Sequence, residues 1–273
     1  MTKILLIFTT IFALFAGGCE VNPITGQQEL ISFGKYLAPS IDEQKQIGQK
    51  YAPEMAKQMG GEIPDSQLQA YINQVGQKVA KASGFTQVTF QYKALNDQTV
   101  NAFALPGGYI FITKGMLSLL KNEAQLAAIL GHETAHVTQE HSAKQMGNQI
   151  GMDLILSTIS TAAGDKGQAV TQVAQIGSQL TSLKYSRSDE TEADSIGLDY
   201  MVKAGYSPKG MVESMQILES LGDSGKFEFL STHPSPANRV KTIQSWINQR
   251  YPQASAKDMG ATAYQKNVLP KLK

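Results

Sequence analysis

Apolar residues recur at helical spacing through most of the chain. Ile41, Ile47, Tyr51 and Met55 predict an amphipathic helix that opens on a Ser40–Glu43 capping box, breaks near Pro53 and ends by Gly60. A second stripe, Leu68, Ile72, Val75 and Val79, predicts a helix within 64–83, stopped by Gly84. The period then shortens. Val88-Thr89-Phe90-Gln91-Tyr92 alternates and predicts a strand, Asn96-Asp97 turns the chain, and 101–113 holds two apolar runs around Pro106-Gly107-Gly108, a hairpin pattern. A short helix over 114–121 leads into a longer one, capped by Asn122 with Gln125 able to reach back. There Leu126, Ile129, Leu130 and Val137 mark a face buried on one side. Residues 146–183 are rich in small and polar residues and suggest two helices joined at Gly164-Asp165-Lys166-Gly167. Their apolar patch is too short to cross a membrane, and glycine-rich segments of this kind are candidates for moving lids. Ser186 or Ser188 can cap a helix running to about Lys203, with Gly205 past its end and Pro208 opening another. A last helix is expected over Ala237–Arg250, and the tail after Pro252 carries no readable pattern.

The chemistry concentrates in His132-Glu133-Thr134-Ala135-His136 on the Asn122 helix. On a helix His132 and His136 project one turn apart from the same face and can share one zinc ion. Glu133 beside them is placed to act as general base on a water activated there. A chance cluster on a solvated face is the alternative, but the flanking Ala124–Gly131 stretch is small and apolar, which suits a buried helix. The long histidine motif of the metzincins would require Gly and His where this chain has Gln139 and Ser142, so a third ligand must come from elsewhere. His141, five residues past His136, turns away from the ligand face and reads as structural or surface.

That third ligand is sought in Ser186-Arg187-Ser188-Asp189-Glu190-Thr191-Glu192-Ala193-Asp194. Glu190 and Asp194 lie one turn apart, and Ala193 and Gly197 are small enough for close helix packing. Glu190 can complete the zinc set, and Asp194 can accept the outer N–H of a ligating histidine and fix its tautomer. A solvated acidic helix start would look similar. In Ser231-Thr232-His233-Pro234-Ser235-Pro236 the proline biases His233 toward extended geometry, so its ring can enter a cleft. There it would donate to an oxyanion, occupy the open zinc position at rest, or simply hold packing. One run of the 101–113 hairpin is, alternatively, an exposed sheet edge beside the zinc to which a peptide substrate adds as a strand.

Composition narrows the setting. The 273 residues carry a formal charge of +1, and without Lys3 basic and acidic residues balance at 23 each, so nothing suggests a nucleic-acid partner. No repeat of solenoid period occurs. Lys3 and the apolar stretch Ile4–Ala16 form a signal peptide over 1–18, and Cys19, the single cysteine, stands where a lipoprotein is acylated. Ala16-Gly17-Gly18 would also suit an ordinary signal peptidase and a soluble periplasmic or secreted product. The favoured reading is a lipidated leader over 19–39, a zinc domain over 40–250 and a tail over 251–273, held on a membrane through lipid on Cys19.

HETAH, SRSDETEAD and STHPSPANR, in this order, resemble the HtpX and CaaX-prenyl-protease group of zinc metallopeptidases (metallopeptidase family 48), specifically its periplasmic lipoprotein branch without transmembrane helices. The resemblance covers roughly 40–250. It implies an α+β, mostly α, gluzincin-like fold with a small sheet beside the histidine helix. It further implies zinc bound by His132, His136 and Glu190, Glu133 as catalytic base, His233 and Arg239 close by, and a role in envelope protein quality control. Expected substrates are unfolded or misassembled proteins, and the outer membrane is the expected location. A chaperone-like binding protein with a gated, rarely active zinc site is the alternative function. A purely structural zinc site would want four protein ligands, mostly cysteines, and is disfavoured.

Overall fold

The structure is a computed structural model that describes residues 19–22, 28–30, 34–150, 184–221, 228–235, 238–254 and 257–272. The expected signal peptide, and the part of the expected helix pair over 151–183, lie outside these. The chain divides into two compact units. One holds strands β1 (Cys19–Val21) and β2 (Gln28–Leu30), paired antiparallel with Cys19 opposite Leu30, the short helix α1 (Gly34–Leu37) and the helical stretch 143–150.

The other unit, residues 41–142 and 182–273, carries the histidine motif. Its first helix, α2 (Ile41–Gln58), runs through Pro53 without the expected break. An interior proline costs about 3 kcal/mol. Burial of Tyr51, Ala52, Met55 and Ala56 on the surrounding turns opposes that cost. Helix α3 (Ser66–Ser83) buries the expected stripe Leu68, Ile72, Val75 and Val79. Asp65 caps it by accepting from the Leu68 amide at 2.8 Å, and Gly84 ends it at φ 69°.

A three-stranded sheet follows: β3 (Gln91–Leu95), β4 (Ala102–Leu105) and β5 (Tyr109–Thr113), in the order β3-β5-β4, with β5 parallel to β3 and antiparallel to β4. The hairpin expected around Pro106-Gly107-Gly108 is β4–β5. The first strand begins at Gln91 rather than Val88, because β5 opens only at Tyr109, the residue facing Gln91. The outer side of β3 is covered by residues 61–63, through Ile63 N–H to Ala94 O at 2.9 Å and Asn96 N–H to Gly61 O at 2.8 Å. Among the described residues, β4 pairs on one side only.

After the short helix α4 (Lys114–Leu119) comes α5 (Glu123–Thr138), the centre of the unit. Asn122 Oδ1 accepts from the Gln125 amide at 2.9 Å, and Gln125 Oε1 reaches back to the Lys121 N–H at 2.7 Å. One-sided burial was the expectation for this helix. Every residue from Ala124 to Val137 is in fact buried, as befits a helix that is apolar or small all round. Around it pack α3, the sheet, and the later helices α6 (Arg187–Lys203), α7 (Lys209–Ser220) and α10 (Ala261–Asn267). Helix α8 (Glu228–Thr232) precedes His233. Helix α9 (Arg239–Arg250) packs on α6 and α7, and its expected start at Ala237 lies outside the described residues. The fold is therefore mostly α with a small sheet, as expected. The segment after Pro252 contributes α10, whose buried Tyr264 donates to Leu117 O at 2.7 Å. Among the described residues no helix is long and apolar enough to cross a membrane.

Candidate metal centre

Helix α5 sets His132 and His136 one turn apart with their Nε2 atoms 3.0 Å from each other. Helix α6 crosses α5 where two glycines meet. A Cβ on Gly197 would lie 2.8 Å from the Gly131 carbonyl carbon and from the His132 amide nitrogen, so only glycine permits the approach. Upstream on α6, Ser186 and Asp189 form a capping box. Glu190, Ala193, Asp194 and Gly197 then fall on the buried side, which is the three-and-four spacing of one helix face. Glu190 thereby reaches both histidines, with Oε2 3.4 Å from His132 Nε2 and Oε1 3.4 Å from His136 Nε2.

These separations suit a cation. A tetrahedral ion bonded at about 2.1 Å holds its donors about 3.4 Å apart. The buried oxygen Glu190 Oε2 has no hydrogen-bond partner, which leaves it available to an ion. Two imidazoles and a carboxylate are the donor types of catalytic zinc sites, which keep a further position open.

His233 follows α8, its N–H closing onto Phe229 O at 2.8 Å and its ring stacked on Phe229 with centroids 4.3 Å apart. Its Nδ1 lies 2.8 Å from Glu190 Oε1 and 3.3 Å from His132 Nε2, inside the donor cluster. Glu133 sits alongside, fully buried, and neither carboxylate oxygen has a hydrogen-bond partner. His233 Nε2 is 3.8 Å from Glu133 Oε1.

A further ring of contacts holds the cluster. His132 Nδ1 meets Asp194 Oδ1 at 3.0 Å. Arg239 grips Asp194 with two bonds of 2.7 Å, Nε to Oδ2 and Nη2 to Oδ1, and lies 3.3 Å from Glu190 Oε2. Burial opposes charge on Asp194, but the Arg239 guanidinium outweighs it and holds the carboxyl below its usual range. Glu190 is likewise depressed against its burial, by His233 and His132. Burial pushes Glu133 up, with the nearby histidines opposing. For His132 the burial that would lower it is outweighed by Glu190 and Asp194, which bring it to about 9, whereas burial leads at His136 and takes it well down.

The structure thus brings together His132, Glu133, His136, Glu190, Asp194, His233 and Arg239. Two neighbours were not foreseen. Tyr185 stacks on His136 with ring centroids 3.7 Å apart, and nothing local in the sequence points to it. His141, expected to turn away from the ligand face as a structural or surface residue, is buried with Nδ1 2.8 Å from His136 Nδ1. The positive φ of 55° at Glu140 interrupts the helix between the two histidines, so His141 is not held to the helical position five residues past His136.

The model of peptidase family M48 matches residues 66–247. The chain is similar to the mitochondrial metalloendopeptidase OMA1 of Schizosaccharomyces pombe, at 32% identity over 92% of this chain and 74% of that protein. It is 29% identical to the β-barrel assembly-enhancing protease of Escherichia coli over 87% of this chain and 49% of that protein, so it spans about half the length of that relative. It is 28% identical to the metalloprotease YcaL of Escherichia coli over 90% of this chain and 97% of that protein. The family match runs across both helices that build the cluster and the loop that carries His233, and the chain belongs to peptidase family M48.

Proposed function

We propose that this chain is a zinc-dependent endopeptidase of the bacterial cell envelope that degrades misfolded or misassembled proteins. What favours this most is one arrangement: His132 Nε2, His136 Nε2 and Glu190, from two helices, lie 3.0–3.4 Å apart beside the unpartnered Glu133 carboxylate. Membership of a peptidase family and the metalloprotease names of its relatives support the same reading.

His132, His136 and Glu190 hold the metal, and Asp194 and Glu133 serve it in different ways. Asp194 accepts the Nδ1 proton of His132, which keeps Nε2 free to ligate, and Arg239 fixes Asp194 in turn. A bound zinc supplies Lewis acidity and makes water a nucleophile at neutral pH. Glu133 takes the proton of the attacking water and passes it to the leaving amine, a task suited to a carboxyl that burial makes more basic. His233 lies close enough to Glu133 and Glu190 to donate to the developing oxyanion. With Nδ1 among the candidate donors, its ring would alternatively hold the open position of a bound ion in a resting state. The outer side of β4 has no strand partner among the described residues and is the proposed place for an added substrate strand, although Ala102, Ala104 and Leu105 are buried there rather than exposed as expected. Val100 O, just before β4, accepts from the Phe229 N–H at 3.2 Å, which ties that edge to the His233 loop. Lipid on Cys19 anchors the protein, most simply in the outer membrane, as in the β-barrel assembly setting that relatives' names suggest.

Digestion of unfolded casein by the zinc-loaded protein tests this. Cleavage abolished by a chelator and restored by zinc is expected. Zinc binding with no cleavage under any condition would favour a chaperone-like binder instead.

A further inference from the structure

We propose that His141 is a positioning residue for the metal centre, accepting a hydrogen bond from the outer ring N–H of His136 and directing its own N–H toward the carboxylates of Asp189 and Glu192. This rests on the assignment of His136 as a ligand. His132 and His136 are equivalent in the motif but are held differently. His132 leans on a carboxylate, Asp194, that is itself clamped by Arg239. Among the described residues no carboxylate comes within bonding reach of His136 Nδ1. The place a carboxylate would take is filled by the imidazole of His141, Nδ1 to Nδ1 at 2.8 Å.

Proton positions follow from counting. To ligate through Nε2, His136 must carry its proton on Nδ1. Among the described residues that proton has one acceptor in reach, His141 Nδ1, which must then be bare. The single proton of neutral His141 is therefore on Nε2. This atom is buried and has no hydrogen-bond partner, and it faces Glu192 Oε2 at 3.5 Å and Asp189 Oδ1 at 3.7 Å. Both carboxylates stand in the first turns of α6, flanking Glu190 in sequence. One helix start thus supplies a ligand to the ion and, through His141, negative potential to the ligand opposite. Tyr185, stacked on the His136 face and bonded to Ser142 at 2.9 Å, leaves that ring little freedom to turn away. Among the described residues His136 would otherwise have no partner to choose its tautomer, and the second contact around a ligating histidine is worth about 10- to 100-fold in metal affinity.

Three variants and one measurement on the unaltered protein test it, with zinc and cobalt as probes. His141→Leu keeps bulk but accepts nothing. His141→Asn places an amide oxygen near the Nδ1 position, and His141→Gln places its amide near Nε2. Zinc affinity by chelator competition is expected to fall about 10- to 100-fold in H141L, to recover largely in H141N and to recover little in H141Q. The visible spectrum of bound cobalt should change in the same order. A purely packing role for His141 would lower the melting temperature of the metal-free protein while leaving zinc affinity and the cobalt spectrum untouched, and that result overturns the proposal. Should the variants not fold, nitrogen NMR of the zinc-loaded wild-type protein decides: bare Nδ1 and protonated Nε2 on His141 are expected, and a proton on His141 Nδ1 refutes the proposal. Failure of the wild-type protein to bind zinc at all would instead sink the assignment of the ligands.

Discussion

Glu133 is the residue whose surroundings are hardest to explain without chemistry. A carboxylate buried with both oxygens unpartnered is costly, because burying an uncompensated charge or acceptor forfeits hydration with nothing in return. Its neighbours answer their own burial: Asp194 has Arg239, and Glu190 has His233 and His132. Glu133→Gln removes the proposed base while keeping shape and the three proposed ligands. The variant is expected to retain zinc at wild-type stoichiometry and to lose casein cleavage by about 10²- to 10⁴-fold, the usual worth of a positioned base. Steady-state proteolysis together with metal analysis checks both halves, and full activity in E133Q would remove Glu133 from the mechanism.

At the scale of elements, the centre depends on how closely two helices approach. Gly131 on α5 and Gly197 on α6 touch backbone to backbone, so the proposed ligand Glu190 is carried to the histidines by the absence of side chains at this crossing. Gly197→Ala drives a methyl group into the Gly131 and His132 backbone, which cannot swing aside as a flexible side chain would. Overpacking of this kind costs about 1–3 kcal/mol. A lower melting temperature and weaker zinc binding are expected together. Weaker stability with unchanged zinc affinity would mean that the helix spacing does not set the ligand geometry. On the side of α5 away from His132 and His136, the Thr134 hydroxyl meets Tyr92 at 2.9 Å, so sheet and histidine helix are registered to each other as well.

Across the whole molecule, what could be read in the sequence was whatever repeats with a local period. The stripes of α3, the capping of α5 and α6 and the spacing of His132, His136, Glu190 and Asp194 are all visible within one or two helical turns. Features set by a distant partner were not. Gln91 rather than Val88 opens β3 because Tyr109 decides the register. Pro53 stays helical because its neighbours are buried. The contacts of His136 to Tyr185 and His141 depend on the break at Glu140 and on a residue almost fifty positions downstream. Tyr264 and α10 have no pattern of their own, yet they cover the start of α5, where the Ala124 N–H donates to Met259 O at 3.0 Å. The proposed centre is an ion shared by two imidazoles of α5 and a carboxylate of α6. Anomalous diffraction at the zinc edge from crystals of the zinc-loaded protein addresses it directly. A single strong peak within bonding distance of His132 Nε2, His136 Nε2 and Glu190 is predicted, and a peak away from any of the three, or no peak, would contradict it.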